Sequence, residues 1–165
     1  MAPLLTLRRM FAALVLFSTS RFMVNGWVDT QVLEPIWTFP FDGFEWLPRP
    51  SLTGAWVLFS GMILGGVLLL FGKTAKWGAA LFFICFTYVE LLDKSNYLNH
   101  YYFVSLVAFM LIWLPTSATT SMVPRLAVTS IRLLLALVYF YAGLAKLNAD
   151  WLLNAQPLIM WLPQH

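Results

Sequence analysis

The sequence predicts an all-α integral membrane protein with about five transmembrane helices and a short interfacial or re-entrant helix near its C-terminal end. Three observations carry this. Of 165 residues, 61% are hydrophobic, 17% are aromatic and only 10% are charged, which is more apolar surface than a soluble fold of this size can hide from water. Apolar runs recur at lengths near the roughly 20 residues that cross a hydrocarbon core. Between them lie stretches rich in proline, tryptophan and small polar residues, suited to the headgroup layer. No repeat, long charge run or interdomain linker interrupts the chain, so residues 1–165 read as a single membrane domain.

The first predicted helix covers 10–27. Arg8 and Arg9 ahead of an apolar run also match the start of a secretory signal, but apolar character resumes at Phe22 and reaches Trp27, which favours a spanning helix carrying Arg21 within it. From Val28 to Pro50, four prolines (Pro35, Pro40, Pro48 and Pro50) exclude a regular helix, and Trp27, Trp37, Phe39, Phe41, Phe44 and Trp46 give the loop an aromatic belt. The second helix, 51–71, contains the step Gly61-x-x-x-Gly65, a sign of close helix packing. After a short lysine-bearing turn the third helix covers 77–92 and holds Glu90 near its end. The fourth covers 99–114, stopped by Pro115. A Thr- and Ser-rich link, Thr116 to Pro124, leads to the fifth helix, 125–147, and the apolar segment 151–162 is too short to span.

Charge placement sets the expected orientation. Arg8 and Arg9, Lys73 and Lys76, and Arg125 fall at alternate helix ends, which the positive-inside rule makes cytoplasmic. Asp29, Glu34, Asp42, Glu45, Glu90, Asp93 and Asp150, all seven acids of the chain, fall on or near the opposite face. The N-terminus is therefore expected in the cytoplasm and Lys146 outside. The formal charge of +3 comes from ten basic residues spread along the whole length, with no pattern that would engage nucleic acid. Cys85 is the only cysteine; it excludes an internal disulfide and a cysteine-based zinc site, and no other metal cluster, phosphate loop or nucleophile triad is present.

Polar groups gather at the expected outer end: Glu90 with Asp93, Asn99 with His100, and Lys146 with Asn148 and Asp150. On the fifth helix Arg132, Tyr139, Gly143 and Lys146 form one stripe, seven, four and three residues apart, and lipid does not tolerate such a face. Glu90, inside an apolar segment, needs a partner that Arg21 or Arg132 could supply, and Arg21 could instead snorkel to the interface. An amine surrounded by apolar groups gives up its proton more readily and can act as a general base. The alternative for Lys146 is an interfacial ion pair with Asp150, one turn away.

Two stretches resemble a known family. Leu91-Leu92-Asp93-Lys94-Ser95-Asn96-Tyr97-Leu98-Asn99-His100 and Tyr139-Phe140-Tyr141-Ala142-Gly143-Leu144-Ala145-Lys146-Leu147-Asn148-Ala149-Asp150-Trp151 are similar to the vitamin K-dependent gamma-carboxylase family, in its horizontally transferred transmembrane domain. Weaker similarity extends from about Phe11 through Trp161. The resemblance implies an integral membrane enzyme that oxidises a reduced vitamin K-type naphthoquinone with O2. The strong base so formed abstracts a proton from glutamate, which CO2 then carboxylates. It makes Lys146 the base for the hydroquinone and places Asn99 and His100 at the quinone site, His100 as a hydrogen-bond partner of a quinol oxygen; Tyr139 and Asp150 join them as candidate quinone-binding residues. Asp93, Glu90, Arg21 and Arg132 are candidate structural or counter-ion residues. Asn148 departs from the aspartate of vertebrate members, and family members continue into further helices and a large extramembrane part that recognises protein substrate. The expected partners are the bilayer, the quinone and a peptide glutamate. Two other readings compete: a non-catalytic module that binds quinone, lipid or a partner helix, and a proton or solute pathway built on the intramembrane charges, against which the lack of an inverted repeat counts.

Overall fold

Each helix boundary has a local cause. In the computed structural model, which describes residues 2–114 and 125–162, helix α1 runs Ala2–Val24. It starts eight residues before the expected position because its first turns are built from alanine, leucine and arginine, all strong helix formers, and Pro3 sits in the first turn, where its missing N–H is harmless. It ends where Gly26 adopts φ +72° and donates its N–H to the Met23 carbonyl, the usual left-handed exit from a helix. Arg21 thus stands in the last turn, where the helix dipole favours a cation.

The loop after α1 is not irregular from its start, as the prolines suggested. Val28–Leu33 forms a π-helical turn that buries Val28 and Val32 against α2 before Pro35 ends it. Helix α2, Leu52–Leu70, opens on Ser51, whose hydroxyl accepts the Gly54 N–H at 3.2 Å. Helix α3, Ala75–Leu92, stops at Asp93, whose side chain accepts the Ser95 N–H and starts a single 3-10 turn, Lys94–Asn96. Helix α4 is Asn99–Trp113.

These four helices form one compact unit, in which α1 packs on α2, α2 on α3 and α3 on α4. The α2–α3 contact is the tightest. A Cβ added to Gly65 would lie 2.8 Å from the Phe82 nitrogen, and one added to Gly78 would lie 2.6 Å from the Gly65 carbonyl oxygen. The backbones therefore touch where both helices lack a side chain. Gly66 gives the same access to Val15 and Leu16 of α1, and Phe11, Phe59, Met62, Leu69 and Phe82 fill the core around the crossing. Basic residues share one end of this unit. Arg8, only 1% exposed, donates to the Leu70 carbonyl at the C-terminus of α2, and Lys76 lies 5.7 Å from the Trp113 ring at the end of α4.

The second compact unit holds α5, Arg125–Ala145, followed by α6, Ala149–Leu152, and α7, Gln156–Trp161. The segment expected to be one interfacial helix is two short ones, parted where Ala155 takes φ 45°, a conformation that stops a helix of L-residues. Asn148 joins α5 to α6: its Nδ2 donates to the Ala145 carbonyl and its Oδ1 accepts the Trp151 N–H, both at 3.0 Å. The Thr- and Ser-rich link expected at 116–124 lies outside the described residues.

Three helices, α2, α3 and α5, are long and apolar enough to cross a membrane, against five expected. Helix α4 is apolar but has 15 residues, about 22 Å at 1.5 Å per residue, and α1 carries three arginines among its 23 residues. All the regular structure among the described residues is helical.

The glycine contact generates a prediction. Gly78→Val forces backbone against side chain, so we expect a loss of about 1–3 kcal/mol or more, read as a lower thermal midpoint of the detergent-solubilised protein. Gly143→Ala adds a Cβ to open space inside α5 and should leave that midpoint unchanged or slightly raised, since alanine favours the helix.

Candidate functional site

The ends of α1, α3 and α4 opposite the buried Arg8 enclose a cavity of about 280 Å³, close to the lower end of the roughly 300–1,000 Å³ typical of small-molecule sites. Its inner wall is the buried set Val32, Phe59, Met62 and Leu92. Four aromatic rings, Phe22, Trp27, Phe86 and Tyr101, stand among the rest of the lining. Phe22 stacks on Trp27 with centroids 4.7 Å apart, and Tyr101 meets Phe22 and Phe86 edge-on at 6.1 and 6.0 Å. Exposed Gln31, Arg49, Ser95 and Asn96 stand at its mouth.

Two carboxylates reach this cavity, and they are used differently. Asp93 is buried and its Oδ1 accepts two backbone N–H groups, from Ser95 at 2.9 Å and from Phe39 at 3.3 Å. The Phe39 carbonyl in turn accepts the Lys94 N–H at 2.7 Å. Lys94 also pairs with Asp42 at 2.6 Å, and the Tyr88 hydroxyl donates to the Pro48 carbonyl at 2.6 Å. The Asp93-Lys94 pair therefore straps the loop onto the end of α3. Glu90 is half-buried in the last turn of α3, and its Oε2 accepts the Ser105 hydroxyl from α4. The Thr87 hydroxyl, one turn before Glu90, donates to Ser105 at 3.4 Å.

Arginine was expected as the partner of Glu90; within this unit the partner is Ser105. Arg21 turns instead toward the ring faces of Phe22 and Trp27, at 5.6 and 5.9 Å, because a guanidinium at a helix end gains from both the aromatic quadrupoles and nearby water. Asn99 and His100 are exposed in the first turn of α4. Neither lines the cavity, although the His100 ring packs 4.5 Å from Tyr101, which does.

Lys146, Tyr139, Arg132 and Asp150 belong to the second unit. All four are exposed there. Lys146 follows the end of α5, its Nζ 5.0 Å from the Trp151 ring, and Asp150 accepts from Asn154 at 3.5 Å. Among the described residues the Lys146–Asp150 ion pair weighed as the alternative to a base does not form, and the Lys146 ammonium lies by the Trp151 ring instead.

A model of the HTTM domain matches residues 1–165, the whole chain. The chain belongs to that family. HTTM is the domain of the vitamin K-dependent gamma-carboxylase family, and both stretches that carried the resemblance lie inside the match. Together with the apolar helices, membership fits a membrane protein. No solved structure matches this HTTM chain.

Sequence reasoning passed over Ser105, Thr87 and the aromatic frame of the cavity. Thr87 and Glu90 stand three apart on one helical face, and that spacing was the available signal. Ser105 gives none alone, since a serine in an apolar helix commonly bonds its own backbone.

The strap of the HTTM chain is sensitive to acid. The hydrogen bond from Lys94, reinforced by its charge, holds the Asp42 carboxyl below its usual value. A lowered carboxyl value stabilises the folded contact above the ordinary carboxylate range, and the gain is lost as pH falls through the lowered value. We expect hydrogen exchange in 38–47, corrected for intrinsic rate, to accelerate as pH falls through that lowered value, and Asp42→Asn to show faster exchange than wild type already at neutral pH.

Proposed function

We propose that this chain is a membrane enzyme module of the carboxylase type, which couples oxygenation of a reduced naphthoquinone to proton abstraction from glutamate and its carboxylation by CO2. The observation that carries this reading is the whole-chain HTTM match, with the two motifs present in order. In the proposed topology α1 to α5 make five crossings: in α1 Arg8 is buried on the Leu70 carbonyl while the exposed Arg9 and Arg21 reach water from the two ends of the span, and the 15-residue α4 is accommodated by local thinning of the bilayer. The N-terminus lies in the cytoplasm. Asn99 and His100 in the first unit, and Tyr139, Lys146 and Asp150 in the second, are each proposed as quinone-site residues on the strength of the two motifs.

Each role follows from side-chain chemistry. The Lys146 amine, in its neutral form, takes the hydroquinone proton. His100 and Asn99 offer hydrogen bonds to a quinol oxygen and orient the ring. The reduced quinone supplies the electrons to O2, and the base formed from it removes the glutamate proton before CO2 adds to the carbanion.

If Lys146 is the base, Lys146→Arg and Lys146→Ala should each lower oxygen-dependent consumption of reduced naphthoquinone in membranes by roughly 10²- to 10⁴-fold, since a guanidinium keeps its proton. An arginine variant with near-normal turnover would make Lys146 an electrostatic residue. Orientation has its own measurement. In intact cells a membrane-impermeant thiol reagent should label Glu45→Cys and spare Lys73→Cys; the reverse labelling would invert the topology.

A further inference from the structure

We propose that the end of the first unit that seats Arg8 is a binding surface for anionic lipid, with the headgroup phosphate held by Arg9, Lys73 and Lys76 and the upper part of the lipid chains laid against Trp77 and Trp113. The fold brings these five exposed residues to one end. Arg8 reaches the Leu70 carbonyl at 3.3 Å, which sets the first turns of α1, and Arg9 with them, beside the turn that joins α2 to α3. That turn is closed by Thr74, whose hydroxyl donates to the Leu68 carbonyl at 2.8 Å. Lys73 precedes it, and Lys76 stands in the first turn of α3. The end of α4 completes the group: the Lys76 Nζ lies 5.8 Å from the Trp77 ring and 5.7 Å from the Trp113 ring.

Charge decides the kind of partner. Six of the seven acids of the chain belong to this unit, Asp29, Glu34, Asp42 and Glu45 between α1 and α2, and Glu90 and Asp93 at the C-terminal end of α3. Helix α3 has 18 residues, about 27 Å at 1.5 Å per residue, so the acids stand at the opposite end from Lys76 and cannot pair with it. Among the described residues, Arg9, Lys73 and Lys76 have no carboxylate partner and no side-chain hydrogen bond. The two ring faces attract the Lys76 ammonium, but they lack the oxygen lone pairs that its three N–H groups take. A phosphate oxygen supplies these, in charge-assisted bonds roughly twice as strong as neutral ones.

Position favours lipid over a dissolved anion. Helix α2 ends and α3 begins at this surface, and both are long and apolar enough to cross a membrane, which sets the three cations at the headgroup layer, where indole rings are also favoured. Trp77 and Trp113, 68% and 69% exposed, offer apolar cover that a lipid uses and inorganic phosphate does not. The inference rests on the first unit alone and requires neither the enzymatic reading nor a choice of leaflet.

The test uses the purified full chain in phosphatidylcholine nanodiscs carrying a trace of one of two photoreactive lipids, a phosphatidylglycerol or a phosphatidylcholine, each with a diazirine near its glycerol. Crosslinks are mapped by peptide mass. In wild type, labelling of 73–77 and of Trp113 should be at least about fivefold greater with the anionic probe, the factor that one basic residue at an anionic headgroup contributes. Arg9→Gln, Lys73→Gln and Lys76→Gln combined should bring the ratio to about one, and Lys73→Arg with Lys76→Arg should keep it. Equal labelling of wild type by the two probes, a ratio that survives the triple substitution, or its loss in the double arginine variant would each overturn the inference. Suppression of the anionic labelling by inorganic phosphate at matched ionic strength would assign the cations to a free phosphate and overturn it as well. If the triple variant does not accumulate, wild type answers alone: the preference must fall between about 0.01 and 1 M salt, where the screening length drops from about 30 to 3 Å, and a preference indifferent to salt overturns it.

Discussion

The first unit depends on the contact between α2 and α3, in which the Gly65 and Gly78 backbones touch. Lipid gives apolar helices no hydrophobic reason to associate, so close approach, dispersion and backbone contact must supply the attraction. Once α2 and α3 are fixed, the other pieces follow. Gly66 admits Val15 and Leu16 of α1, and the last turn of α3 carries Glu90 to the Ser105 face of α4. The cavity lies at the ends of the helices opposite the buried Arg8.

At those ends the polar motif serves as an anchor as much as a site. Asp93 holds the backbone of its own turn and of the aromatic loop, and Lys94 holds Asp42. Sequence resemblance places such residues near the chemistry. The geometry adds the reason an acid and a base stand side by side: one satisfies backbone donors from inside, the other reaches outward to the loop. Glu90, three residues earlier, lines the cavity and accepts the Ser105 hydroxyl of α4, taking no part in the strap.

The helical class and the approximate place of every long helix were legible, since runs such as 51–71 and 77–92 need only composition and length to be seen. Helix α1 was misplaced at its start because arginine was read as a flank, yet arginine is a good helix former and Arg8 is buried on the Leu70 carbonyl. The π-helical turn at Val28–Leu33 was hidden by prolines that begin only at Pro35. For the site, Glu90 stood out as a carboxylate in an apolar run, but its partner did not. A charge suggests an opposite charge, and here a serine and a threonine on neighbouring helices share the task, a pairing that depends on inter-helix register.

The seating of Arg8 bears on how the protein is made. A guanidinium left in hydrocarbon without α2 would lack the Leu70 carbonyl that now receives it, and Arg8 emerges from the ribosome 62 residues before that carbonyl. Until then α1 is better held at the bilayer surface or beside the insertion machinery, with its arginines in water. The natural unit of insertion is therefore the α1–α2 hairpin, delivered together once its second arm is complete.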